Sequence, residues 1–138
     1  MKIKAVYEGD LRTILKHIPS GETIKTDAPI DNLGKGEYFS PTDLLCSSLA
    51  SCMLTIMAIA ARKHGISIKG TDIDITKKMS SSPRMVSKIK VNINFKKNFS
   101  NKKRLILERT ALACPVHRSL SVEIDIDVNF NYNKLNNK

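Results

Sequence analysis

Eighteen consecutive residues, Leu44 to Ala61, carry no charge. A run of that length must be embedded in a bilayer or buried in a core, and it is the borderline length for a spanning helix. It contains Ser47, Ser48, Ser51, Thr55 and several small residues, and amphipathic segments surround it. The expectation is therefore a long central helix, buried on most sides in a folded core, with no membrane involved. Its ends are well marked. Ser40 is a good N-cap, Pro41 suits the first helical position, and Asp43 stands where a capping-box acid reaches back. Arg62-Lys63-His64-Gly65 place cations on the negative end of the helix dipole and a glycine just beyond it. The spacing predicts a helix over about residues 41–64.

Strand patterns flank this helix. Lys2–Tyr7, Leu11–Ile18 and Glu22–Thr26 are separated by Glu8-Gly9-Asp10 and Pro19-Ser20-Gly21 turns, and Asp27–Gly36 reads as a loop. After the helix, Ile66/Ile68 and Ile73/Ile75 alternate on opposite parities, which suggests a bulge or bend at Gly70. Ile89, Val91, Ile93 and Phe95 alternate strictly with polar residues. A shorter helix is expected over about 101–113, with Ser100 as N-cap, and a last strand over 122–130 with Val122, Ile124, Ile126, Val128 and Phe130 facing inward. The fold class read from this order is α+β: antiparallel sheets, a long buried helix and a shorter second helix, in a single domain over residues 1–138.

The chain carries 23 basic and 13 acidic residues, a net charge of +10. Residues 66–104 hold eleven of those cations against Asp72 and Asp74 alone. No zinc-finger, helix-turn-helix or RNA-binding motif accompanies them. There is no Trp, and Phe plus Tyr number seven, so base-stacking surfaces are poorly supplied. The acidic outward set Glu123, Asp125 and Asp127 could lie beside Lys88 and Lys90, matching part of the excess internally. A solvated basic face is expected rather than a nucleic-acid surface. The N-terminus lacks the apolar core of a signal peptide, and three cysteines form no disulfide framework, so a reducing, cytoplasmic setting is expected.

The chemistry-bearing residues are Cys46, Cys52 and Cys114. Cys46 and Cys52 are six apart on one helix, about 240° around its axis, and cannot bridge. Cys52, among Leu49, Met53 and Ile56, reads as a small core hydrophobe or, beside a cation, as a reactive thiolate. Cys114 precedes Pro115 and can cap a short helix over Pro115–Leu120, where backbone N–H groups favour a thiolate. His117 makes Cys114-x-x-His117 half of a metal site without a second closely spaced pair, so neither a metal nor a cofactor is expected.

Phe39-Ser-Pro-Thr-Asp-Leu-Leu-Cys-Ser-Ser-Leu-Ala-Ser-Cys52-Met resembles the central-helix motif of the OsmC/Ohr family, the osmotically inducible and organic-hydroperoxide-resistance proteins. Ala113-Cys114-Pro115-Val116-His117-Arg118-Ser119-Leu120 resembles that family's second Cys-Pro motif, and the likeness runs over about residues 1–132. The resemblance implies an intertwined homodimer with thiol peroxidase chemistry. Cys52 then matches the peroxidatic position and Cys114 the resolving one, while Cys46 is left to packing. Arg12 is the candidate cation by its location in the N-terminal region. The family's peroxide-resistance members carry Glu directly after the helix-opening Pro, bracing the Arg. Here Thr42 and then Asp43 follow, so Asp43 becomes the candidate brace. The partners implied are a small organic hydroperoxide and a thiol or dithiol reductant. The alternative is a dimer that binds an apolar ligand or senses redox state without efficient turnover.

Overall fold

The computed structural model describes residues 1–133 of the chain. It divides into two compact units, Met1–Leu45 and Cys46–Lys138. The elements along the chain are β1 (Ile3–Gly9), β2 (Arg12–His17), β3 (Thr23–Asp27), a 3-10 turn (Ile30–Asn32), α1 (Pro41–Lys63), β4 (Asp72–Ser81), β5 (Arg84–Phe95), α2 (Asn101–Leu112), α3 (Pro115–Ser119) and β6 (Asp125–Tyr132). α1 starts in the first unit and continues through the second.

The first unit is a three-stranded antiparallel sheet in the order β1-β2-β3. Asp10 and Leu11 both take positive φ between β1 and β2, the conformation of the tight hairpin turn whose twist matches its strands. Pairings Ala5↔Leu15 and Leu15↔Ile24 align Ile3, Ala5, Tyr7, Leu15 and Ile24 on one face. Ile3, Tyr7 and Ile24 are exposed there. The opposite face is mixed, with Lys4, Arg12, Lys16 and Lys25 beside Val6 and Ile14.

The second unit holds the core. Its sheet has the order β4-β5-β6. Ile89, Val91, Ile93 and Phe95 of β5 are buried, and they join Leu49, Met53, Met57 and Ala61 of α1 and Leu107 and Ala111 of α2 in one apolar cluster. By length and composition alone α1 could cross a membrane. What the structure shows is a helix whose Cys46–Leu49–Met53–Met57–Ala61 stripe packs into that cluster. Burial on most sides is thus corrected to burial along one stripe, while Ile59 stays half exposed. The stripe follows the helical repeat, since residues three and four apart share a face.

Three further expectations are corrected. The second sheet is not wholly antiparallel: β6 runs parallel to β5. The segment between them contains α2 and α3, and such a helical crossover returns the chain in the same direction. The last strand is Asp125–Tyr132, not 122–130. A turn closed by Ser121 O and Ile124 N leaves Val122 fully exposed. Ile66 and Ile68 lie outside any strand. Gly70, at φ 85°, bends the chain ahead of β4, and the bulge falls between Lys78 and Met79 instead.

The outer face of this sheet matches much of its own charge. Lys88 pairs in register with Asp125 and Lys90 with Asp127, and Lys88 Nζ lies 2.8 Å from Asp125 Oδ2. Asn94 donates to Asp72 and Asp74, both at 2.9 Å, and Lys96 is ion-paired with Asp72.

Candidate functional site

Two clusters of functional side chains are described, one in each unit. The first is a thiol pair. Cys52 sits mid-helix on α1, half-buried and packed against the core beside Ile56, next in chain to the buried Met53. Cys114 is fully buried at the N-cap of α3. α2 stops short of Cys114 because Pro115 has no N–H to continue it and a fixed φ suited to opening the next helix. The Cys114 sulfur accepts the backbone N–H of His117 at 3.3 Å. Cys52 lies close enough to perturb this thiol. Both are free cysteines. Burial pushes the Cys114 thiol above its ordinary range, the His117 N–H pulls it back in part, and Cys52 raises it further. The net effect disfavours a thiolate at Cys114. Cys46 packs in the core at 4% exposure.

The second cluster surrounds Arg12. Register pairs Arg12 at the start of β2 with Asp27 at the end of β3. The guanidinium clasps Asp27 with two bonds, Nε to Oδ1 at 2.6 Å and Nη2 to Oδ2 at 2.9 Å, and Nη2 also bonds Glu37. Asp27 is 2% exposed and accepts the Glu37 N–H at 3.0 Å. Arg12 lies 4.6 Å over the Tyr38 ring, a cation–π distance. Bonds to Arg12 hold the Asp27 carboxyl below the usual range, and Asp27 first, then Glu37, raises Arg12 above its own. A guanidinium has five N–H donors, so it retains donors for an anion after these three bonds.

The loop from Ala28 to Phe39 sets this geometry. Asp27 N donates to Phe39 O at 3.1 Å, and Ala28 N to Leu11 O at 3.0 Å. Gly34 passes so close to Ala28 that a Cβ there would stand 1.6 Å from its carbonyl oxygen. Glycine at 34 is the only residue that this approach admits.

Asp43 closes the capping box of α1. Ser40 N donates to Asp43 Oδ2 at 2.8 Å, and Asp43 N donates to Ser40 Oγ at 3.1 Å. The carboxylates that clasp Arg12 are Asp27 and Glu37, neither of which the sequence reading singled out. The signal available was two acids, Asp27 and Glu37, flanking the loop that follows β3. Among the described residues, no three or more His, Cys, Asp or Glu side chains gather as metal ligands.

One thiol lies on the core helix α1 and the other at the Cys-Pro start of α3. The family model for OsmC-like protein matches residues 34–129. This chain belongs to the OsmC-like protein family. A structure from Psychrobacter arcticus 273-4, provisionally assigned as an osmotic stress induced and detoxification response protein, is 48% identical; 95% of this chain and 96% of that one align with a TM-score of 0.91. An OsmC like protein from Mycoplasma pneumoniae aligns over 96% of each chain, with a TM-score of 0.82 and 22% identity. An organic hydroperoxide resistance protein OsmC from Legionella pneumophila aligns over 94% of this chain and 95% of its own, with a TM-score of 0.76 and 13% identity. These last two likenesses are of fold. No curated protein matches the sequence.

Proposed function

We propose that this protein is a two-cysteine thiol peroxidase for organic hydroperoxides, working as a homodimer in the reducing cytoplasm. The observation that supports the reading is the proximity of the two motif cysteines, with Cys52 close enough to raise the Cys114 thiol. It brings a nucleophile and a resolving thiol within reach before any oxidant arrives.

The chemistry balances in three steps. The Cys52 thiolate attacks one oxygen of ROOH; the O–O bond breaks, Cys52 becomes a sulfenic acid, and the alkoxide takes a proton to leave as ROH. The Cys114 sulfur attacks the Cys52 sulfenic sulfur, and water leaves as the disulfide forms. An external dithiol then reduces that disulfide by exchange and is itself oxidised. Apolar neighbours around Cys52 favour an alkyl peroxide over H₂O₂. Arg12, the candidate cation carried over from the family resemblance, is held by Asp27 and Glu37. The exposed apolar face of β1–β3, carrying Ile3, Tyr7 and Ile24, supports association with a second copy.

The test is single-turnover oxidation. Fully reduced protein is mixed with one equivalent of cumene hydroperoxide or of H₂O₂, and free thiols and intact mass are followed. Loss of two thiols within seconds, a mapped Cys52–Cys114 disulfide and preference for the organic peroxide are expected. Cys52→Ser abolishes turnover; Cys114→Ser leaves one oxidation without recycling. Turnover retained in Cys52→Ser, or oxidation only over many minutes, overturns the proposal in favour of ligand binding without peroxidase chemistry.

A further inference from the structure

A cavity of about 480 Å³ opens beside the C-terminal half of α1 and owes nothing to the thiols. Its floor is Leu54, Ala58 and Ala61 of α1, with Ile66 and Ile68 as a wall. On the helix these floor positions stand about 180–240° around from Cys52, the far side of the cylinder. The volume falls in the range of small-molecule sites.

Local structure holds the cavity open. α1 ends with two backbone bonds, Ile66 N to Ala61 O at 2.9 Å and Gly65 N to Arg62 O at 3.4 Å, around Gly65 at φ 61°. That C-terminal motif folds the residue two beyond the cap onto the last turn, here Ile66 onto Ala61, both buried. The chain then runs back through a turn closed by Thr71 N and Ile68 O at 3.0 Å. Ala58 and Ala61 leave the space that larger side chains would fill.

The polar lining has one sign. Arg62 and Lys69 are the charged residues lining the cavity, and no acid lines it. Both are exposed, and among the described residues neither is ion-paired with a carboxylate. An apolar floor with two unmatched cations complements a ligand that has a hydrocarbon body and one anionic end. We propose that this cavity binds a small amphiphilic carboxylic acid, its alkyl chain on Leu54, Ala58 and Ile68 and its carboxylate between Arg62 and Lys69. The proposal is independent of the peroxidase reading.

Decanoate, decanol and decyltrimethylammonium are the probes, titrated into the fully reduced, full-length protein while backbone amide shifts are followed. Decanoate is expected to give saturable shifts centred on Ala58, Ile68 and Thr71, with decanol about tenfold weaker and the ammonium not saturating. The double variant Arg62→Gln/Lys69→Gln should weaken decanoate about tenfold and leave decanol unchanged. Ala58→Phe fills the floor and should abolish both. Cys52→Ser should bind decanoate normally, which separates this site from the thiol chemistry. Equal affinity for decanoate and decanol overturns the proposal. So do shifts confined to Cys52 and Cys114, and so does silence at these amides in a dimer whose second copy covers the cavity.

Discussion

Replacing Leu49 with alanine tests the central packing claim, that α1 is a core helix seated by one stripe. Leu49 is fully buried in the cluster that includes Ile89, Val91 and Leu107. Truncation removes three carbons from a fully buried, apolar site. Transfer loss and the residual cavity together cost about 3 kcal/mol, within the 2–5 kcal/mol spread of such substitutions. For a chain of 138 residues the unfolding entropy near the midpoint is about 0.3 kcal/mol/K. The expected fall in Tm is therefore about 10 °C. Urea unfolding at fixed protein concentration, followed by circular dichroism, reads the free energy, and calorimetry reads the midpoint. The slope of the urea transition should not change, because the same surface is exposed on unfolding. A loss under about 1 kcal/mol with an unchanged slope would refute the assignment, since a leucine on a face open to solvent or lipid costs no more than that.

Other outcomes follow from the two clusters. Asp27→Asn leaves Arg12 without its buried two-bond partner and should slow single-turnover oxidation of Cys52 about tenfold. Combined with Arg12→Ala it should add little beyond Arg12→Ala alone, as stopped-flow thiol loss would show. The Asp27 carboxyl is depressed in the fold, so its contribution is present above the unfolded carboxyl range and lost as pH falls through the folded value; that acid-side loss should be absent in Asp27→Asn titrations. The Cys114 thiol is raised, so the unfolded chain gives up that proton first. Stability should fall as pH rises above about 8.5, the unfolded thiol value, and Cys114→Ser should remove that limb from a urea-midpoint profile against pH. Gly34→Ala drives a methyl into the Ala28 carbonyl and should cost more than about 2 kcal/mol, measured by urea unfolding, while also slowing oxidation through Arg12.

The sequence by itself determined whatever rests on local periodicity and punctuation. The capping box at Ser40 and Asp43, the glycine beyond His64 and the alternation of Ile89 to Phe95 each act within a few residues, and α1, β5 and the Cys114 cap lie where those patterns put them. The two cysteine motifs were legible because each is a contiguous string. Tertiary structure alone decided three matters. Strand direction in the second sheet depends on how α2 and α3 carry the chain back, and β6 shows the same alternation whichever way it runs. The clasp on Arg12 joins residues 12, 27 and 37 through strand register and a loop that only a glycine at 34 lets close, none of which has a periodic trace. The meeting of Cys52 and Cys114 spans sixty-two positions of chain, a distance across which sequence patterns carry no geometry and packing carries all of it.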